Sequence, residues 1–139
     1  MDVDRLLHAL NNDNNEPIVD LDYATIAKEK NDILQQLNLP RAELVALQKK
    51  LKLYRYIADL KDVRFGAYIR WISLKNPEVI KLTNGGIIVD ITEVPGDIKI
   101  KCKNRMNQMF QIKLSEVIFF QKLSEQEEII LNAMKFLQA

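Results

Sequence analysis

At 139 residues the chain is one domain's worth, and 47% apolar with 28% charged residues exclude wholesale disorder. A single cysteine, Cys102, excludes an internal disulfide and fits a reducing compartment, while a single histidine, His8, and the lack of a glycine-rich phosphate loop leave most enzyme classes without their parts. The net charge of +1 is too small to imply a partner but hides an asymmetry: residues 1–40 carry −5, residues 41–123 carry +8 and residues 124–139 carry −2.

Residues 1–19 read as an acidic, asparagine-rich arm and linker. Met1–Arg5 lacks the basic start and apolar core of a signal peptide, and no apolar run reaches the roughly 18 residues of a membrane span. An intracellular protein is therefore expected, neither secreted nor in a membrane. Val3, Leu6, Leu7 and Leu10 fall at helical spacing. The run Asn11–Glu16 with Pro17 after it predicts a loop, because asparagine side chains compete for backbone hydrogen bonds and proline opposes helix. The short helix either docks on the protein's own core or serves as a peptide for a partner's groove.

A helix is predicted from Asp20 or Asp22, either of which can cap it, with Tyr23, Ile26, Ile33 and Leu37 on one face. Pro40 suits the first turn of a second helix, where Leu44, Leu47, Leu51, Tyr54 and Ala58 keep a three-four spacing. Leu53, Ile57 and Leu60 make another apolar side. Residues 20–61 thus read as an antiparallel helical hairpin with a coiled-coil-like seam. Its spare apolar side is covered by the rest of a monomer or by a second copy in a homodimer.

After Asp62 the period changes to two. Phe65, Ala67, Ile69 and Trp71 point one way, and Arg64, Tyr68 and Arg70 the other. Asn84-Gly85 predicts a type I′ hairpin joining 80–82 to 87–89. Reversals follow at Pro95-Gly96 and at 104–107, bounding strands over 87–94, 97–103 and 109–114. Residues 115–117 read as one helical turn and 118–123 as a last strand. Ser124 to Glu127 forms a capping box opening a helix over 124–139 with Ile129, Ile130, Ala133, Met134 and Leu137 as its stripe. The expected class is α+β: an N-terminal helical hairpin, a small five-stranded antiparallel barrel or curved sheet over 62–123, and a C-terminal helix, with 20–139 compact.

The order of meander, one-turn helix and short final strand over residues 63–123 resembles the Src-homology-3-like, Tudor and Sm-like small barrels. The run Arg64-Phe65-Gly66-Ala67-Tyr68-Ile69-Arg70-Trp71-Ile72-Ser73-Leu74, followed by Ile80-Lys81-Leu82-Thr83-Asn84-Gly85-Gly86-Ile87-Ile88, resembles a small uncharacterised protein of nucleocytoplasmic large DNA viruses. That second resemblance implies a virus-encoded protein of the host cytoplasm or nucleus, or a virion component, and nothing catalytic.

Among the residues that carry chemistry, the strand over 97–103 turns Ile98, Ile100 and Cys102 to the core. Lys99, Lys101 and Lys103 are left in an outward row. Antiparallel pairing through the next turn adds Gln111 and Lys113, with Arg105 at the rim, while Tyr68 and Arg70 supply an aromatic ring and a guanidinium from the first strand. Such a face suits nucleic acid or a ribonucleoprotein, although lysines on an exposed strand also serve simply to prevent edge pairing. An aromatic cage from Tyr68, Trp71, Phe110, Phe119 and Phe120 is disfavoured, because Trp71 and Phe110 have inward parity. Only one of Phe119 and Phe120 can point inward; the other meets a helix or stays exposed.

The alternative is a protein–protein adaptor or virion component, working through Leu6, Leu7 and Leu10 of the arm and Leu44 and Leu51 of the hairpin. His8 has no second ligand nearby, Cys102 has core parity, and the acids Asp90 and Glu93 form no convincing acid–base pair. No catalytic residue, metal or cofactor is expected.

Overall fold

A computed structural model describes residues 2–138 as an α+β fold with five α-helices and one six-stranded antiparallel sheet. Helix α1 (Val3–Leu10) is capped by Asp2, whose side chain accepts from the Arg5 N–H at 3.1 Å. The asparagine run is more ordered than predicted: a 3-10 turn at Asp13–Asn15 leads into a one-turn helix, α2 (Glu16–Val19). Pro17 does not forbid this helix because it lies in the first turn, where no intrahelical N–H is needed. Asn15 is buried, its Nδ2 donating to Ala9 O at 2.8 Å and to Gln126 Oε1 at 3.0 Å, so the segment is stitched down by side-chain amides.

Helix α3 (Tyr23–Gln35) opens on Asp22, which accepts from the Thr25 N–H at 2.7 Å; that bond holds the Asp22 carboxyl below its ordinary pKa. Helix α4 (Arg41–Lys50) is shorter than predicted and buries none of its residues fully. The predicted helical hairpin over 20–61 does not form: the chain turns after Lys50, and Tyr54–Ile57 is strand β1. The spacing of Leu47, Leu51 and Tyr54 suits a helix, but Tyr54-Arg55-Tyr56-Ile57 equally alternates in two faces and is rich in strand-favouring aromatic residues. Lys30 marks the break, its ammonium donating to Leu51 O at 2.8 Å and Tyr54 O at 3.0 Å.

The remaining strands are β2 (Tyr68–Ser73), β3 (Gly86–Val94), β4 (Asp97–Lys103), β5 (Met109–Lys113) and β6 (Val117–Lys122), followed by helix α5 (Glu125–Gln138). The sheet order is β1-β6-β2-β3-β4-β5. A 3-10 turn, Leu114–Glu116, links β5 to β6 one residue earlier than the turn expected at 115–117. Of the two expected forms, barrel or curved sheet, the sheet is open, and it has six strands rather than five, with β1 and β5 as edges. It is nonetheless strongly curled. Trp71 on β2 and Phe110 on β5 are three strands apart, about 14 Å in a flat sheet, yet their ring centroids lie 6.4 Å apart.

Segment 80–82 is also corrected. Leu82 makes one isolated bridge to Ile72 on β2 and does not pair with 87–89. Asn84-Gly85 is no type I′ turn, since only Gly85 has positive φ (+80°). Glycine is required there because a Cβ would fall 1.8 Å from Ile69 O. Phe65, predicted inward, stands exposed in the turn before β2.

Three apolar clusters hold the fold. The inner face of the sheet buries Ile57, Ile69, Trp71, Ile88, Ile100, Cys102 and Phe119. On the outer face, Tyr54, Ile72, Ile118 and Phe120 pack with Leu34 of α3 and Leu51 just after α4. The third cluster joins α1, α2 and the start of α3 to α5 through Ala9, Ile18, Ile26, Ile130 and Leu131. The predicted capping box is present: Ser124 Oγ accepts from Glu127 N at 3.1 Å and Glu127 Oε1 from Ser124 N at 2.9 Å. Glu127 is buried and also pairs with Arg64 at 3.2 Å, fastening α5 to the sheet. No described helix is long and apolar enough to cross a membrane.

Candidate nucleic-acid interface

The outer face of the sheet is covered by helices over β1, β6 and part of β2, and is open over β3, β4 and β5. On the open part, β4 keeps strict alternation: Ile100 and Cys102 are fully buried while Lys101 and Lys103 are exposed and Lys99 is half-buried. Lys99 stands opposite Lys113 of β5, and Lys101 opposite Gln111. On the other side Lys101 faces Asp90 of β3, and Lys103 faces Ile87. Asp90 is the one carboxylate set into the row, yet it forms no ion pair with Lys101 among the described residues. Among the described residues, Lys99, Lys103 and Lys113 are likewise without carboxylate partners within ion-pair distance. Asp97, at the start of β4, is committed elsewhere. It accepts from Ser115 Oγ at 2.6 Å, Ser115 N at 3.1 Å and Ile98 N at 2.8 Å, and the serine hydroxyl bond above all lowers its pKa.

The strand register carries this row toward an aromatic, basic hollow. Tyr54 pairs with Lys122, Tyr68 pairs with Ile87, and Ile87 pairs with Lys103. Since Ile69 pairs with Gln121, Lys122 and Tyr68 fall beside each other on the outer face. Here the surface sinks into a cavity of about 630 Å³ lined by Tyr54, Tyr68, Arg70, Arg105, Lys122 and the 84–85 backbone, among others. Three cations and two phenol rings thus share one concavity. Arg105 reaches it from the β4–β5 turn, which Asn104 shapes by accepting from Met106 N at 2.9 Å and Gln108 N at 3.0 Å, with Asn107 at φ +60°.

Tyr68 and Arg70 also hold the loop that walls the cavity. Tyr68 OH donates to Asn84 O at 2.7 Å and Arg70 Nε to Thr83 O at 2.8 Å. The terminal guanidinium nitrogens of Arg70 make no hydrogen bond to the described residues, which leaves them to a ligand. Burial raises the pKa of Tyr54, with the neighbouring Arg70 charge opposing, so its ring is a neutral surface at physiological pH.

Of the residues singled out in the sequence for an anionic ligand, Tyr68, Arg70 and Arg105 meet at the cavity, and Lys99, Lys101, Lys103 and Lys113 form the row leading to it. Tyr54 and Lys122 were missed. The three-four spacing puts Tyr54 in a helix seam, although the alternation of Tyr54 and Tyr56 against Arg55 and Ile57 also signals a strand; Lys122 ends a strand with no motif around it.

The residues proposed for a protein partner separate. Leu51 is fully buried, which keeps it from a partner, whereas Leu44 on α4 is half-buried against the same cluster. Leu6 packs partly against the α5 cluster, while Leu7 and Leu10 are exposed. Both Phe119 and Phe120 are fully buried on opposite faces, Phe120 against Tyr56 at 6.2 Å. Cys102 is buried, and burial pushes its thiol up to about 11. No cluster of three or more His, Cys, Asp or Glu suited to a metal occurs among the described residues. No protein-family model, curated protein or solved structure matches the chain.

Proposed function

We propose that the protein is a non-catalytic binding module that takes nucleic acid, alone or in a ribonucleoprotein, on the open half of its outer sheet face. The observation that carries this reading is the convergence of Arg70, Arg105 and Lys122 with two tyrosines on one cavity, which the strand register joins to a lysine row that forms no ion pair among the described residues. Successive outward residues on a strand are about 6.6 Å apart, so Lys99, Lys101 and Lys103 make a track of evenly spaced cations, with Arg105 beyond them in the β4–β5 turn. Such a track neutralises a phosphate backbone and gains affinity from released counterions, while the half-buried Tyr68 ring accepts a stacked base. In this proposal the curled sheet works as small barrels do, and the protein is virus-encoded and intracellular, as the resemblance over 64–88 implies.

The test is a labelled single-strand pool titrated at low and moderate salt. Affinity that falls steeply with salt, and falls again in the Lys101→Glu/Lys103→Glu variant, supports the reading. No binding at about 50 mM salt, where phosphate contacts are strong, removes it.

A second reading has one specific observation behind it. Val3, Leu7 and Leu10 form an exposed apolar stripe on α1. A protein partner at this end would be captured with little salt dependence and lost on Leu7→Asp/Leu10→Asp; retention of the partner by that variant would dismiss the adaptor reading.

A further inference from the structure

A second hollow of about 500 Å³ opens directly beside the basic cavity, and Asn84, Gly85 and Asn104 line both. Its chemistry is different. Trp71 forms the floor at 8% exposure, Phe110 a wall at 42%, and Val79 an exposed apolar wall from the loop after β2. Trp71 and Phe110 meet edge to face, with rings inclined at 63°, so the outer face of Phe110 is left for a further flat group. Polar groups stand at the rim, namely Asn76, Lys81, Thr83 and Asn104. Apolar walls with a few converging amides and a cation are what a small planar, hydrogen-bonding ligand requires.

The ridge between the hollows is low because it is backbone. A side chain at Gly85 would strike Ile69 O at 1.8 Å, and one at Gly86 would strike Lys103 O at 2.6 Å. The loop forming the ridge is held in place from the basic side by Tyr68 and Arg70, and by Thr83, whose Oγ1 accepts from Trp71 N at 3.1 Å. A chain crossing the ridge therefore moves from cations to an aromatic seat within a few ångströms of backbone.

We infer that the ligand is single-stranded, and that one unpaired base inserts into the Trp71–Phe110 hollow while its flanking phosphates lie against Arg70, Arg105 and the lysine row. The occupant follows from charge complementarity with the adjoining basic cavity: a polyanion that also carries flat, amide-like heterocycles satisfies both hollows at once. A base held in a duplex cannot enter without being unpaired. This inference rests on the nucleic-acid reading above.

Trp71 is the only tryptophan, so its emission reports the hollow without a label. The full chain is titrated with a short single-stranded oligonucleotide, with an abasic strand carrying the same number of phosphates, and with inorganic polyphosphate. Expected are tryptophan quenching by the oligonucleotide alone and an affinity for the abasic strand lower by roughly 5- to 100-fold, the worth of one stacked base. Phe110→Ala should bring the oligonucleotide down to the abasic level while leaving polyphosphate binding unchanged. Val79→Glu, a change at an exposed loop position, should do the same by placing a carboxylate in the hollow. Equal affinity for the two strands with unchanged emission overturns the base seat and leaves the basic face standing. Failure of both strands to bind overturns the nucleic-acid reading and the seat with it.

Discussion

The outer face of the sheet has two halves built by one rule and put to different uses. Over β1, β6 and the end of β2, the outward residues are Tyr54, Tyr56, Ile118, Phe120 and Ile72, and α3 and α4 lie across them. Over β3, β4 and β5 the outward positions include Ile87, Asp90, Lys99, Lys101, Lys103 and Gln111, and no described helix lies across them. The alternation is identical; only the solvent differs. Where a helix supplies an apolar surface, burial of the aromatic residues stabilises the fold. Where water remains, charged side chains keep the strands soluble and leave their heads available to a ligand.

That contrast predicts opposite responses to truncation. Phe120→Ala in the covered half should cost about 3–5 kcal/mol of unfolding free energy, measured by urea denaturation. Lys101→Ala in the open half should stay within about 0.5 kcal/mol. If the lysine change proved as costly as the phenylalanine change, the open half would be structural and the contrast false. Between the halves, Gly85→Ala should cost at least about 1–3 kcal/mol, because alanine is strained at φ +80° and its methyl meets Ile69 O. A Tm equal to that of the unaltered protein would show that the ridge can shift, and the two hollows would then not be held in fixed relation.

The open half was legible in sequence and the covered half was not, for a physical reason. Lysines between Ile98, Ile100 and Cys102 fit a strand alone, since on a helix they would scatter around the axis. Leu47, Leu51, Tyr54 and Ile57 are apolar at spacings that a helix and a helix-turn-strand both bury, so local pattern could not place the break after Lys50. What decides it is tertiary: β6 offers β1 a partner, and Lys30 of α3 takes up the carbonyls of Leu51 and Tyr54. The same holds for the cavity. Tyr68, Arg70 and Arg105 could be named from parity, but Tyr54 and Lys122 join them through strands that are distant in sequence. The Asn84-Gly85 pair reads as a hairpin reversal, but Leu82 and Gly86 both run antiparallel to β2, so the chain does not reverse there; the need for glycine comes from Ile69 crowding the loop, which no local rule contains.

Charge reversal sharpens the contrast from the binding side. Lys101→Glu/Lys103→Glu should weaken a single-stranded oligonucleotide by more than about tenfold at low salt. It should also lower the slope of log affinity against log salt by about 1.4, the share of two phosphate contacts. The urea midpoint should barely move. Two control reversals, Arg5→Glu on α1 and Lys28→Glu on α3, change the net charge equally but lie away from the open face. An equal loss from these would mean that overall charge, not the row, governs binding.

The smallest expected effect concerns the opposite side of the same strand. Cys102 lies beneath the lysine row on the inner face, and burial raises its thiol from 9.0 to about 11. In the native state the thiol stays protonated up to the folded value, whereas in the unfolded chain it ionises near its ordinary one. The unfolded state therefore binds fewer protons between these values, and stability must fall as pH rises through that window. Comparison with Cys102→Ala isolates the contribution, because the variant retains every other titrating group. The stability difference between the two proteins should be constant below about pH 8 and should shift against the cysteine form as pH approaches about 10. A thiol reagent at about pH 8 should modify Cys102 only after unfolding, while an amine reagent modifies the exposed Lys101 and Lys103 of the native protein. Fast native labelling of Cys102 would mean that β4 peels from the inner core, and then the alternation that leaves the lysines in a row could not persist in solution.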